Sequence, residues 1–366
     1  MTATRLDAPS ARAACAVPGL DDGFRNHTVA MKHGAGGRAM RRLIQETLVR
    51  GLVDMPVDGV GVAAMDDGAA IRIGYERWLV VTTDSHVVHP IFFPGGDIGR
   101  LSIAGTVNDL AMMGATEPIG LACGIILEEG FPLADLERIQ ESLVATCREA
   151  GAPVITGDTK VMGKGEIDGV VLNTTGVAIA SRVVRDCDLR PGDQIIVTGT
   201  IADHGVALLA VRNGIELYGD LASDVQPINR LIRAALDAEP GAVVGLKDPT
   251  RGGVSSALHE MAEKSRVGIV LHHDAIPVRD SVRAASEMLG LDPLHIANEG
   301  KAVLGVRGGP RVADQVLAAI RAHPAGADAA IIGECIPEHV GLVILDTGFG
   351  RRIVAEPDGE PLPRIC

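Results

Sequence analysis

Aromatic side chains are scarce in this 366-residue chain: one Trp, two Tyr and five Phe, 2% of the whole. A stacking platform for single-stranded nucleic acid is built from such rings, so that class is excluded, and the core must be made of Ala, Val, Leu and Ile. Positive charge is short as well. A formal net charge of −13 leaves no basic face for a polyanion, and no nucleic-acid partner is expected. A phosphate ligand stays open, because backbone N–H groups and a bound cation can supply the positive field. No apolar run approaches the ~20 residues of a membrane helix, and the amino terminus has no apolar stretch of signal-peptide type. No membrane partner is therefore expected, and the localisation is read as cytoplasmic. The six cysteines (Cys15, Cys123, Cys147, Cys187, Cys335, Cys366) form no CxxC pair and no zinc spacing, which fits a reducing compartment. Glycine, at 45 residues, is plentiful and calls for many tight turns. A 46% hydrophobic content excludes disorder as the dominant state.

The length predicts two domains. Residues 1–26 are small and polar and read as a disordered extension. From residue 27 to 180, helices are expected over 37–50, 98–113 and 133–150, the last between Pro132 and Gly151. Strands are expected at 78–83, 119–127, 154–156 and 170–180. A boundary near Ser181 opens a second series over 181–345, with strands at 193–198, 242–246, 267–271, 302–306, 329–332 and 342–345. Its helices are expected at 205–211, 224–236, 253–264 and 313–323. Strands and helices mix throughout, so the fold class is α/β or α+β with mixed sheets. Residues 346–366 are rich in proline and read as an extended, mobile tail.

Three features carry chemistry. The first is His33-Gly34-Ala35-Gly36-Gly37, directly before the first helix. Glycines let backbone N–H groups approach an anion, and a helix start adds positive partial charge. It is not a Walker A loop, and a flexible lead-in would read the same way. The second is a set of carboxylates at strand and loop ends: Asp66, Asp67, Asp84, Asp109, Asp158 and Asp248. A single Asp in such a place is an ordinary turn or cap residue. Several together are what Mg²⁺ needs, since it binds a few hard oxygens plus substrate phosphates. Lys160, beside Asp158, and Glu299 are candidates for charge neutralisation and proton handling, though alone each would pass for a surface or capping residue. Scattered histidines such as His86, His89 and His204 lack the spacing of a transition-metal site. The third feature is Cys366, the last residue. A thiolate on a mobile tail is a nucleophile that can carry an acyl-type group between sites.

The terminal Pro361-Leu362-Pro363-Arg364-Ile365-Cys366 resembles the C-terminal signature of the HypE family of [NiFe]-hydrogenase maturation proteins. So do, in the same order, segments 33–37, 82–114, 127–130, 156–161, 203–205, 248–253 and 297–301. The resemblance covers roughly residues 26–366. It implies a two-domain PurM-like fold, similar to aminoimidazole ribonucleotide synthetase and selenophosphate synthetase, with an N-terminal domain that dimerises through its sheet. It implies ATP and Mg²⁺ as cofactors. The nucleotide would sit against Gly34, Gly36, Gly37, Asp84, Asn108, Asp109, Gly157, Asp158, Thr159 and Asp248. The metal would be held by Asp66, Asp67, Asp84, Asp109 and Asp248. It also implies the reaction. The carbamoyltransferase HypF loads a carbamoyl group onto the terminal cysteine, here Cys366, and ATP drives its dehydration to a thiocyanate, with Lys160 and Glu299 handling protons. The cyano group then passes to iron on a HypC–HypD complex. Two other readings stand beside this one: a kinase or synthetase of the same fold acting on a free small molecule, and a non-enzymatic metallochaperone using Cys366 as ligand.

Overall fold

The computed structural model describes residues 28–214, 221–357 and 364–366. The expected extension, 1–26, and the middle of the expected tail lie outside them. A short helix α1 (Gly37–Leu43) runs on into a π-helical turn, Ile44–Leu48. The first sheet contains β1 (Gly59–Val60), β2 (Ala69–Gly74), β3 (Arg77–His86), β6 (Pro118–Glu128), β7 (Val154–Met162) and β8 (Val170–Ala180), in the spatial order β1-β2-β3-β8-β6-β7. Two two-residue strands, β4 (Phe92–Phe93) and β5 (Gly96–Asp97), pair separately. Helices α2 (Ile98–Met112) and α3 (Leu133–Ala150) pack on the sheet and on each other.

Helix α2 is apolar on every side, and every residue but Arg100 and Asp109 is buried. Such a helix belongs inside a protein. Its start is sealed by Asp97, whose carboxylate accepts the Arg100 amide at 2.9 Å. Its far side meets the second domain: Ala111 and Met112 share a cluster with Ile228 and Leu231, and Leu101 and Ala104 share one with Ile296 and Ala297. The two domains thus pack as one body around α2.

The second sheet has the order β10-β12-β9-β13-β11-β14-β15, with β9 (Gln194–Val197), β10 (Val243–Lys247), β11 (Gly268–His272), β12 (Val303–Val306), β13 (Ala330–Ile336), β14 (Val343–Asp346) and β15 (Arg351–Ile353). Helices α4 (Asp203–Arg212), α5 (Asn229–Ala238), α6 (Gly253–Ser265), α7 (Asp280–Leu289) and α8 (Pro310–Arg321) complete this domain. Among the described residues no helix is long and apolar enough to cross a membrane.

The expected mixed α/β architecture is the one observed, with some differences. Strand β7 does not stop at Thr156. It runs through Gly157 to Met162, because pairing in parallel with β6 overrides the glycine. The second domain does not stop at residue 345: a turn closed by Thr347 N–H to Gly350 O at 2.9 Å returns the chain as β15, paired with β14. Helix α7 and strands β1 and β2 had no expectation. Finally, the segment around α1 packs on the second domain, not on the first sheet. Arg41 bonds Glu263 at 3.1 Å and Glu356 at 2.5 Å, and Arg251 donates to the Gly34 carbonyl at 3.0 Å.

Candidate active site between the domains

Asp67 leads into β2, Asp84 lies on β3, and Asp109 is one of the two positions of α2 not sealed in the core. Asp248 directly follows β10. The fold brings these four together with Glu299. Thr82 on β3 donates to the Asp109 carboxylate at 2.9 Å and to the Asp67 carbonyl at 2.8 Å. Burial, then the charges of Asp248, Asp84 and Asp67, hold the Asp109 carboxyl well above the usual range. Asp248 is pushed up to about 8 by burial and by Asp67 and Asp84, against the pull of Lys247. Glu299 is raised well above its ordinary value by burial, then by Asp248, Asp224 and Asp84. Like charges held together and out of water each favour the protonated form.

Sequence reasoning missed the cations that hold this wall. Lys247 Nζ lies 2.7 Å from Asp67, 3.3 Å from Glu260 and 3.5 Å from Asp186. Lys264 Nζ is 2.6 Å from Asp186 and 3.7 Å from Asp66, and Arg185 is 3.2 Å from Asp66. Asp66 therefore belongs to a largely buried ion network that reaches the cavity lining. Burial and its bond to Asp186 push it up to about 8. Burial acts to raise Asp186 as well, but Lys264, the bond from Asp66 and Lys247 outweigh it and bring Asp186 down to about 2. Lys247 had a signal, its place beside Asp248; Asp186, Arg185 and Lys264 had none.

A cavity of about 380 Å³ opens against this wall, within the size range of small-molecule sites. Met40, Ile44 and Val62 give its lining apolar surface, and Asp67, Lys247 and Asp248 give it charge. The glycine loop closes it from the far side. Gly36 has φ +79°, and a Cβ there would stand 2.8 Å from the Arg251 backbone. Gly37 has φ +66° and would bring a Cβ to 2.2 Å from the Pro357 carbonyl. Both positions require glycine. Gly34 meets nothing within 4 Å and contributes its carbonyl alone.

Other expected site residues lie elsewhere. Asn108 is buried, and its amide is fully used in tying α2 to the second domain. It donates to Gln226 O at 3.1 Å and Glu299 O at 3.2 Å, and accepts from Ile228 N at 2.8 Å. Gly157, Asp158, Thr159 and Lys160 sit on β7, exposed, at the opposite edge of the sheet from β1 and separated from β3 by β8 and β6. Lys160 pairs there with Asp158 at 3.0 Å. Cys366 is not free of the body. Its carbonyl accepts from Val87 N at 3.3 Å, one residue beyond β3, and Ile365 before it is buried.

The cleft residues suit a divalent cation. Glu299 Oε1 is buried with no hydrogen-bond partner among the described residues, and Asp67, Asp84, Asp109 and Asp248 are hard oxygen donors in reach of one another's fields. Among the described residues no three such side chains stand at metal-holding geometry.

Family models for AIR synthase related proteins match the chain in two parts, the N-terminal domain over residues 65–180 and the C-terminal domain over 190–345. The carbamoyl dehydratase HypE of Azotobacter vinelandii is 49% identical over 346 residues, 94% of this chain and 98% of that protein. The chain belongs to the HypE family. The Escherichia coli K12 carbamoyl dehydratase HypE is 42% identical over 342 residues, 93% of this chain and 100% of that one. Among solved HypE structures, the HypE–HypF complex superposes with a TM-score of 0.79 at 40% identity, over 86% of this chain and 99% of that chain. HypE in complex with ATP gives 0.75 at 39%, over 93% and 100%. A thiamine monophosphate kinase from Aquifex aeolicus, 17% identical with a TM-score of 0.62, shares the fold.

Proposed function

We propose that this chain is an ATP-dependent carbamoyl dehydratase of hydrogenase maturation whose substrate is its own carbamoylated Cys366. Membership of the HypE family supports the class. The observation that carries the detail is the position of the terminal residue: Cys366 is bonded to Val87, and the neighbouring His86 Nε2 lies 3.6 Å from Asp84. The thiol end of the chain thus rests beside the strand that bears one of the cleft carboxylates.

The net change converts an S-carbamoyl group, S–C(=O)–NH₂, to a thiocyanate, S–C≡N. The C–O bond breaks, both N–H protons leave, and the oxygen departs in phosphate. Bound ATP supplies the phosphoryl group that makes this oxygen a leaving group. Gly36 and Gly37 shape the loop that faces it, and the apolar surface at Met40, Ile44 and Val62 receives a base. Asp67, Asp84, Asp109 and Asp248 would hold Mg²⁺. Asp66 supports them through Arg185 and Lys264. A cation at Asp84 and Asp248 would lower the proton affinity of Glu299, leaving a carboxylate that takes one proton from the amide nitrogen while the departing phosphate takes the other. The packed cleft keeps water from the activated carbon.

Within one chain Lys160 is three strand spacings from β3, about 14 Å. Strand β7 is exposed along its whole length, with Ile155 at 66%. We therefore assign Lys160 to the cleft of a second copy, in a homodimer formed through this sheet. HypF is the partner that loads the thiol, and a HypC–HypD complex is the acceptor of the cyano group.

Intact-mass measurement of the full chain tests the reading. After incubation with HypF, ATP and carbamoyl phosphate, one carbamoyl group is expected on Cys366, followed by loss of one water in Mg–ATP alone. ATP consumption with an unmodified tail would refute the self-substrate and point to a free small molecule.

A further inference from the structure

The last three residues are held by their backbone. Arg364 O accepts from His89 N at 3.1 Å and from Arg212 at 2.5 Å. Ile365 O lies 2.8 Å from His204 Nε2, and Cys366 O accepts from Val87 N at 3.3 Å. All three carbonyls are anchored, in the manner of a strand added to a sheet edge. Ile365, 1% exposed, fills a pocket with Val206 and Ile296 in the same cluster.

Of these anchors only His204 is fully buried, and its environment fixes its chemistry. A carbonyl can only accept, so Nε2 carries the proton. Nδ1 then accepts from Ser223 Oγ at 2.7 Å, and that oxygen accepts the Val225 amide at 3.1 Å. Phe93 meets the ring edge-on at 5.5 Å. Burial keeps the imidazole neutral by lowering its proton affinity. The ring is therefore held in one tautomer and one orientation, aimed at a tail carbonyl.

We infer that His204 is a positioning residue, a latch that reads the Ile365 carbonyl and fixes the terminal residue beside the end of β3, and that Arg212 backs it at Arg364. Latch and unlatching divide the tail's working cycle, since a chain end held against the body by four hydrogen bonds to its carbonyls cannot be loaded on another protein's surface. The idea that the thiol must travel rests on the proposed self-substrate reading; the latch itself does not.

Pulsed alkylation of the full chain with N-ethylmaleimide, read residue by residue by mass spectrometry, tests it. His204→Ala is expected to raise the Cys366 rate about fivefold, the population shift of one neutral hydrogen bond. His204→Gln, which can still donate to the carbonyl, should bring the rate back toward the parent. Buried Cys335, 2% exposed, is the internal reference for unfolding. Arg212→Ala, at the surface end of α4, is the second variant and should act in the same direction. An unchanged Cys366 rate in both Ala variants overturns the latch, as does a rise matched by Cys335 in both. A released thiol in a protein that never becomes carbamoylated would leave the latch standing and remove the proposed chemistry.

Discussion

Two groups of charged side chains in this chain live under opposite conditions. The carboxylates at Asp67, Asp109, Asp248 and Glu299 are drawn together at the domain boundary, and burial and like charge raise the proton affinity of each. The Asp158–Lys160 pair stands on β7 with both side chains more than two-thirds exposed, at 69% and 68%. Crowding like charges out of water costs stability and is retained where an outside cation relieves it. An ion pair in solvent contributes little to the chain that carries it. One group crowds like charge out of water; the other pairs opposite charge in solvent.

The contrast is sharpest at Asp248. Asp248→Asn should reduce ATP-dependent dehydration about 10²–10³-fold, the scale for losing one electrostatic contact at a reacting centre, with the tail still carbamoylated. Turnover within a few-fold of the parent would remove Asp248 from the site. Next comes Lys160→Ala, inactive in its own homodimer. Mixed with Asp248→Asn, it should recover about a quarter of parental activity, because a mixed dimer of a two-fold pair contains one intact site if each chain lends its lysine to the other. No recovery in mixtures shown to contain heterodimers would place Lys160 outside the neighbour's cleft.

Smaller effects separate positions that look alike in the chain. Gly36→Ala adds a side chain at φ +79° against the Arg251 backbone and should cost about 1–3 kcal/mol by strain. Gly34→Ala, in open space, should stay within about 0.5 kcal/mol. Urea melts of the two variants decide this. A further test is a pH slope. Asp66 and Asp248 have folded-state values near 8 against an ordinary 3.8, so each is stabilising when protonated, fully below 3.8, and that contribution is lost as pH rises toward 8. Asp186, brought down to about 2, acts in the other direction but only below 3.8. The melting temperature of the nucleotide-free protein should therefore fall from pH 4 to pH 8, less steeply in Asp248→Asn, and Mg²⁺ should recover part of it at the upper end. A flat profile in the parent would contradict the crowded cluster.

Much of this was legible in the residues. Helix α3 declares both ends, Pro132 before it and Gly151 after it with φ 71°. The acidic positions at Asp67, Asp84, Asp109 and Asp248 do converge. What could not be read is what depends on distant pairing. The Asp186–Lys264 contact joins residues 78 positions apart with no local pattern. Gly157 looks like a strand end until β6 is alongside. Asn108 sits within a motif-like stretch beside Asp109, yet one turn of helix geometry points its amide into the domain boundary and its neighbour into the cleft. The proline-rich end reads as loose chain, because nothing local announces a groove formed by Val87, His89 and His204.

The two ends of the described chain cross over. The glycine segment at the amino-terminal side lies on the second domain through Arg251, Glu263 and Glu356, while Arg364 to Cys366 lie between the two, on Val87 and His89 of the first and on His204 and Arg212 of the second. Each half wears a strap sewn to the other. Cutting the gene near residue 181 would therefore not yield two modules: the groove for the chain end would be split, Val87 and His89 going to one piece and His204 and Arg212 to the other, and the second piece would lose the lid over its glycine-facing cavity. Engineered swaps with other members of this architecture should move both straps with the cleft they close.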